Sequence, residues 1–176
     1  MPGAVLKPAS AGFFGKLPST GDFVTRGLPD AFRNHWDRWI SRYLAPRLKG
    51  TAVWPPEGLR FRLASGGRVA AGLILPGMDS AGRQFPLSLV LIAEALPDPG
   101  ALDQWCDAAL ARSVAALNGD ADPDELWDSI NQIAPPSGDA TGLASFLLWR
   151  KGGTAEPTEP TEPSVTLDRL LVETQV

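Results

Sequence analysis

Apolar side chains recur at Phe32, Trp36, Trp39, Ile40, Tyr43 and Leu44, at steps of four, three, one, three and one, with Arg33, Asp37, Arg38 and Arg42 between them. That spacing predicts an amphipathic helix starting near Pro29 and Asp30, with a solvated charged face and with Pro46 limiting its run. Upstream, residues 12–17 (GFFGKL) and 22–27 (DFVTRG) are short aromatic and β-branched pieces around Pro18, Ser19, Thr20 and Gly21, the signature of a hairpin. Residues 59–64 (LRFRLA) alternate apolar side chains with arginine, which predicts a strand with one wet face. Residues 69–75 and 85–92 are nearly continuous apolar runs, expected of central strands buried on both faces and joined by the loop PGMDSAGR.

The second half changes period. Asp98 and Pro99 suit a cap and first helical position, Leu102, Trp105, Cys106, Ala109, Leu110 and Leu117 share one face, and Asn118 and Gly119 end the run. Asp122, Pro123 and Glu125 form a second start, with the acid three positions after the cap reaching back to it. Leu126, Trp127, Ile130 and Ile133 then make a short stripe, closed by Pro135 and Pro136. Residues 145–150 (SFLLWR) read as one more strand and 165–171 as a short helix, while EPTEPTEP (156–163) is low in complexity, unsuited to a ladder, and expected to be a mobile extended loop within 154–163. Two strands, a helix, three strands, two helices, a strand and a helix predict an α+β fold, a largely antiparallel sheet covered by helices on both faces in three layers.

Composition narrows the chemistry. The chain has 176 residues, room for a single domain (1–176) with a substantial core. Its net charge of −4, with acids and bases interspersed, argues against nucleic acid as a partner. No stretch approaches the ~20 apolar residues of a membrane span, and the first ten residues lack the apolar core of a signal peptide, so a cytoplasmic location without membrane insertion is expected. One cysteine, Cys106, sits on a predicted buried stripe and reads as a small hydrophobe. One histidine, His35, lies beside the first helix's apolar stripe with no nucleophile indicated near it. No catalytic residue, metal site or cofactor is therefore expected. NGDADPDE (118–125) spaces acids like a calcium loop, but Glu125 occupies the position that needs glycine and Asn131 the position of the closing acid, so helix capping explains it better. Of six tryptophans, Trp36, Trp39, Trp105, Trp127 and Trp149 fall where the core is expected. Trp54, next to Pro55 and Pro56, is either a plug at the edge of the core or an exposed anchor for a partner.

GKLPSTGD (15–22) invites comparison with a phosphate-binding loop. It fails the test, because Leu17 rather than a hydroxyl residue follows Lys16 and Ser10 stands where the leading glycine belongs. The longer segment GFFGKLPSTGDFVTRGLPDAFRNHWDRWI (12–40) strongly resembles the amino terminus of the TagF (ImpM) family of bacterial type VI secretion. LPGMDSAGRQFPLSLV (75–90) is a second matching block, and SFLLWRKG (145–152) resembles the family's strand end more weakly. The resemblance implies a cytosolic, post-translational repressor of type VI secretion assembly, a longin-like sandwich, and a partner that is the forkhead-associated scaffold Fha or another component of the apparatus. Some relatives carry a fused metal-dependent phosphatase. This chain has no Asp-Gly dipeptide for the metal turns of such a domain, so a phosphatase would be a separate protein.

Within the resemblance, GKLPSTGD becomes the turn of the first hairpin, with Gly21 expected to take positive φ and Pro18 restricting the approach. The matching blocks place Lys16, Ser19, Asp22, Asp79 and Arg83 in loops, where packing rarely demands particular charges. They are the candidate partner-binding residues. Two roles stay open for them: Asp22 or Asp79 pairs with Arg83 to pin two loops, or these groups meet a partner directly. A small hydrolase using Asp22, Asp79 and Lys16 as a metal or acid-base site is the alternative function.

Overall fold

The computed structural model describes residues 9–50 and 53–171. Seven strands form one sheet: β1 (Ser10–Gly15), β2 (Val24–Arg26), β3 (Leu59–Ser65), β4 (Arg68–Leu75), β5 (Leu87–Ala93), β6 (Phe146–Arg150) and β7 (Glu156–Pro157). Their order is β2-β1-β5-β4-β3-β6-β7 and every pairing is antiparallel. The two near-continuous apolar runs became β4 and β5, near the middle of the sheet, and each buries side chains on both faces. The fold is α+β, as the order of elements predicts.

One face packs against α3 (Pro99–Leu117) and α4 (Pro123–Asn131) through Phe13, Leu73, Leu89, Leu91, Trp105 and Trp149. The predicted caps form. Asp98 accepts from the amide of Ala101 at 3.0 Å, and Asp122 and Glu125 make a reciprocal capping box. The opposite face carries α1 (Asp30–Trp39), a π turn (Ile40–Leu44), α2 (Ala45–Leu48) and α5 (Ser164–Leu170), packed through Trp36, Ile40, Leu44, Phe61, Phe146 and Leu167. Helical structure runs past Pro46, against expectation: the amide of Ala45 reaches back five residues to the carbonyl of Ile40, and that wider turn accommodates the proline ring and its missing donor.

Two further readings change, and one alternative is decided. Arg60 and Arg62 do not face water; both are buried among the helices of the first face, 0% and 3% exposed. Glu156 and Pro157 do pair, with Leu148 and Leu147 of β6, at an outer edge where a proline is tolerated. The segment beyond them is tied to α1 and the π turn, since Trp39 donates to the carbonyl of Pro160 and Tyr43 to that of Thr161. Trp54 is a plug, half-buried against the second core with its indole donating to the carbonyl of Ile74 at 3.1 Å.

Trp36 is the anchor of the second face. It is 3% exposed, stacks with Phe32 and Trp39, lies 4.4 Å centroid to centroid from Phe61, and donates to the buried hydroxyl of Ser88 at 2.8 Å. Trp36→Ala is expected to cost about 3–5 kcal/mol by opening a cavity. Urea denaturation at constant m-value checks it, and an unchanged midpoint would contradict the placement.

Candidate functional site

Two loops meet at one end of the sheet. The β1–β2 connection spans 16–23 and the β4–β5 connection 76–86, and β1 and β5 are neighbours, so the loops are held side by side. Glycine allows the approach: a Cβ on Gly77 would lie 2.5 Å from the carbonyl oxygen of Phe85 and 2.7 Å from that of Lys16. The amide of Ser80 donates to the carbonyl of Thr20 at 2.8 Å, a direct bond between the loops. Gly21 is not in the positive-φ region; Gly15 and Gly27, which flank the hairpin, are. Thr20 closes the turn instead, through its amide to the carbonyl of Leu17 and its hydroxyl to that of Asp22.

Asp79 is the centre of this contact, its side chain fully inaccessible to solvent. Oδ1 accepts from the backbone amides of Ala81 and Arg83, both at 2.9 Å, and Oδ2 accepts from Arg83 Nε at 2.8 Å and pairs with Lys16 Nζ at 3.2 Å. Burial pushes its pKa up, but the Arg83 amide, Lys16, the Ala81 amide and the Arg83 guanidinium outweigh it and hold the carboxyl down at about 2. A carboxylate offers about four acceptor sites, and here four donors fill them. The guanidinium of Arg83 continues to the carbonyl of Gly21 at 2.7 Å, so one arginine bridges Asp79 and the neighbouring loop.

The five candidate residues thus divide. Lys16, Asp79 and Arg83 come together, with Lys16 and Asp79 buried and the Arg83 side chain 62% exposed. Ser19 and Asp22 stay exposed outside the cluster, and among the described residues the Asp22 carboxylate accepts only from the adjacent amide of Phe23. Of the two acids that could pair with Arg83, Asp79 does so. The role of Lys16 as its second counter-charge is legible only in three dimensions.

Sequence reasoning missed Phe23 and Met78. Phe23 is 48% exposed, lies against Phe14 and Phe85, and has the Lys16 ammonium 4.8 Å above its ring. Met78, beside Asp79, is 42% exposed. Two exposed apolar side chains thus flank a saturated charge cluster.

A second polar cluster lies on the α3 face. Arg60 reaches Asp103 and Asp107, each at 2.8 Å, and Trp149 donates to the same Asp103 oxygen at 2.9 Å. Arg62 donates to the carbonyls of Leu96 and Pro97. These bonds tie β3 and β6 to α3 and its approach. Cys106 sits next to Asp107 on the same helix, where burial pushes its thiol up to about 12 despite the nearby Arg60 charge. Among the described residues no cluster of histidine, cysteine and acids has metal-ligating geometry, and no helix is long and apolar enough to cross a membrane.

A family model described as the TagF N-terminal domain, type VI secretion system-associated, matches residues 12–133. Among solved structures the chain is similar to PA0076 from Pseudomonas aeruginosa PAO1, with a TM-score of 0.67 and 24% identity over 95% of this chain and 96% of that one. No curated protein matches.

Two outcomes are expected. Asp79 is more acidic in the folded protein than its ordinary value of 3.8, so its ionised form contributes stability above about pH 4, and this is lost as pH falls toward 2. Asp79→Asn should therefore melt well below wild type at neutral pH, and the gap should narrow steadily between pH 4 and pH 2; a gap independent of pH would refute the ionised pin. As the chain's one cysteine, Cys106 should resist an aromatic disulfide reagent in the native state and react stoichiometrically in denaturant. Rapid native labelling would contradict its placement.

Proposed function

We propose that this chain, which belongs to the TagF family of type VI secretion-associated proteins, restrains assembly of the secretion apparatus after translation by binding one of its proteins in the cytoplasm. The forkhead-associated scaffold Fha is the first candidate partner and another component of the apparatus the second. The observation that carries the reading is the loop pair, where charge is spent on holding shape while apolar and polar side chains remain outward. Asp79 and Lys16 fix the geometry, and Ser19, Asp22, Phe23, Met78 and the outer side of Arg83 form the contact surface.

The hydrolase alternative draws less support from the same atoms. A general base needs a free lone pair and a metal ligand needs an open oxygen, and the four donors on Asp79 leave it neither. Lys16 is committed to Asp79 and the Phe23 ring, and Asp22 points elsewhere, to its neighbour's amide. Binding is the function these loops suit.

Deleting the gene should raise export of the secretion tube protein, and overproduction should suppress export without lowering transcripts. Asp22→Lys and Met78→Glu change exposed side chains, so each should leave stability within about 0.5 kcal/mol of wild type while weakening repression and co-purification of the scaffold. Arg83→Lys loses the fork that joins Asp79 to Gly21, and there melting temperature and repression should fall together. Unchanged export from a deletion strain with a competent apparatus would defeat the reading.

A further inference from the structure

The second face of the sheet is not fully roofed by its helices. Two adjoining cavities of about 540 and 170 Å³ share Phe32, His35 and Leu63, and together they form a groove between α1 and the β3–β4 hairpin. Strand register defines its floor. Ile92 pairs with Ala70, Ala70 with Leu63 and Leu63 with Phe146, so these four side chains make one transverse row on the same face of β5, β4, β3 and β6. Three strand spacings of ~4.8 Å give a floor about 14 Å long, the length of roughly ten helical residues. Ala70, the smallest of the four, leaves the hollow near the middle. Phe32, Trp36 and Trp39 line the α1 side, and Ser65 and Arg68 of the hairpin line the other.

The charge on this groove is one-sided. Its one charged lining residue is Arg68, and no carboxylate lines it, on a chain whose net charge is −4. Arg68 has no ion-pair partner among the described residues. Of the nearby acids, Asp30 lies beside Arg33, at 3.8 Å, and Glu94, just past the end of β5, is outside the lining. Because the floor runs across the strands, an added strand has no hydrogen-bonding edge to follow there. A helix, which satisfies its own backbone, needs only an apolar stripe.

We propose that this groove receives one amphipathic helix of a partner protein, with its apolar stripe on Ile92, Ala70 and Leu63 and a flanking carboxylate against Arg68. The proposal rests on the reading that this chain acts by binding protein, and it adds a second contact surface to the loop pair. Other occupants fit less well. Residues 1–8 (MPGAVLKP), which precede β1 in the sequence, carry a lysine and no acid. A second copy presenting its own α1 would bring Arg33 and Arg38 as well as Asp30 and Asp37, with no surplus of negative charge to meet Arg68.

The test uses the full chain and two synthetic helical peptides of roughly 14 residues, with leucines at i, i+3, i+7 and i+10 and flanked by glutamates in one and by lysines in the other. Fluorescence anisotropy should show the glutamate peptide bound about fivefold more tightly, the size expected of one or two exposed ion pairs. Arg68→Glu, an exposed hairpin change, should invert that preference, an outcome that misfolding cannot produce. Ala70→Trp fills the hollow and should abolish binding of both peptides while circular dichroism stays native. Equal affinity for the two peptides, or a preference that Arg68→Glu leaves in place, overturns the proposal. So do three reassignments: binding that appears only after residues 1–8 are removed, a dimer in sedimentation that Ala70→Trp dissolves, or dodecanoate binding with neither peptide bound. Export assays separate this from the repressor reading. Peptide discrimination without any effect of gene deletion on export would leave the groove standing and remove the repressor, and the converse result would do the opposite.

Discussion

The carboxylate of Asp79 is shut off from solvent, and two backbone amides, an ammonium and a guanidinium together favour its ionised form. Those donors come from the end of β1 and from the β4–β5 loop, strands far apart in sequence but close in the sheet. Satisfying one buried charge therefore fixes the relative position of two loops, more sharply than apolar packing, which tolerates sliding. The exposed side chains of both loops inherit that position. Sheet geometry supplies the neighbourhood, and the Asp79 cluster turns it into a defined surface.

The two faces of the sheet are held by different physics. Toward α3 and α4 the interior admits two arginines, each stretched to carboxylates or carbonyls on the approach to α3 and along it. Toward α1 the contacts are aromatic: Trp36, Phe61, Phe146 and Trp39 form a chain of stacked and edge-on rings. Directional bonds set the distance between sheet and helix on the first face. On the second, ring packing sets it together with the buried bond from Trp36 to Ser88, and the open groove lies on that side.

Much of this was legible in the sequence, because the signals were local. The stripe of α1, the capping box of α4 and the uninterrupted strands β4 and β5 are each written within a dozen residues and formed as read. Of the five candidate loop residues, Arg83 was identifiable as the partner of an acid, with Asp22 and Asp79 both open for that place. The joining of Asp79 and Arg83 to Lys16 was not, since that depends on β1 lying beside β5. The alternation in β3 misled for a physical reason: an arginine facing water and one reaching Asp103 from the sheet interior have the same period of two. Pro46 misled because the π turn that absorbs it has no compositional mark, and Pro157 because an edge tolerates a residue that a central strand does not. The groove is visible in no pattern, being an absence of side chains between elements distant in sequence.

The sheet ends in two very short strands, three residues in β2 and two in β7. Beyond β2, the free carbonyl of Ala11 on β1 is met by the indole of Trp127, and beyond β7 the chain continues through Pro160 and Pro163. β6, which β7 covers, reads FLLWR, a run of high β-propensity with one charge. The Glu-Pro-Thr segment therefore acts as a seal over an adhesive edge. A protease that cut it would uncover a strand able to template pairing with other copies and would sever α5, which contributes Leu167 and Leu170 to the second core, so clipped protein should be prone to aggregate.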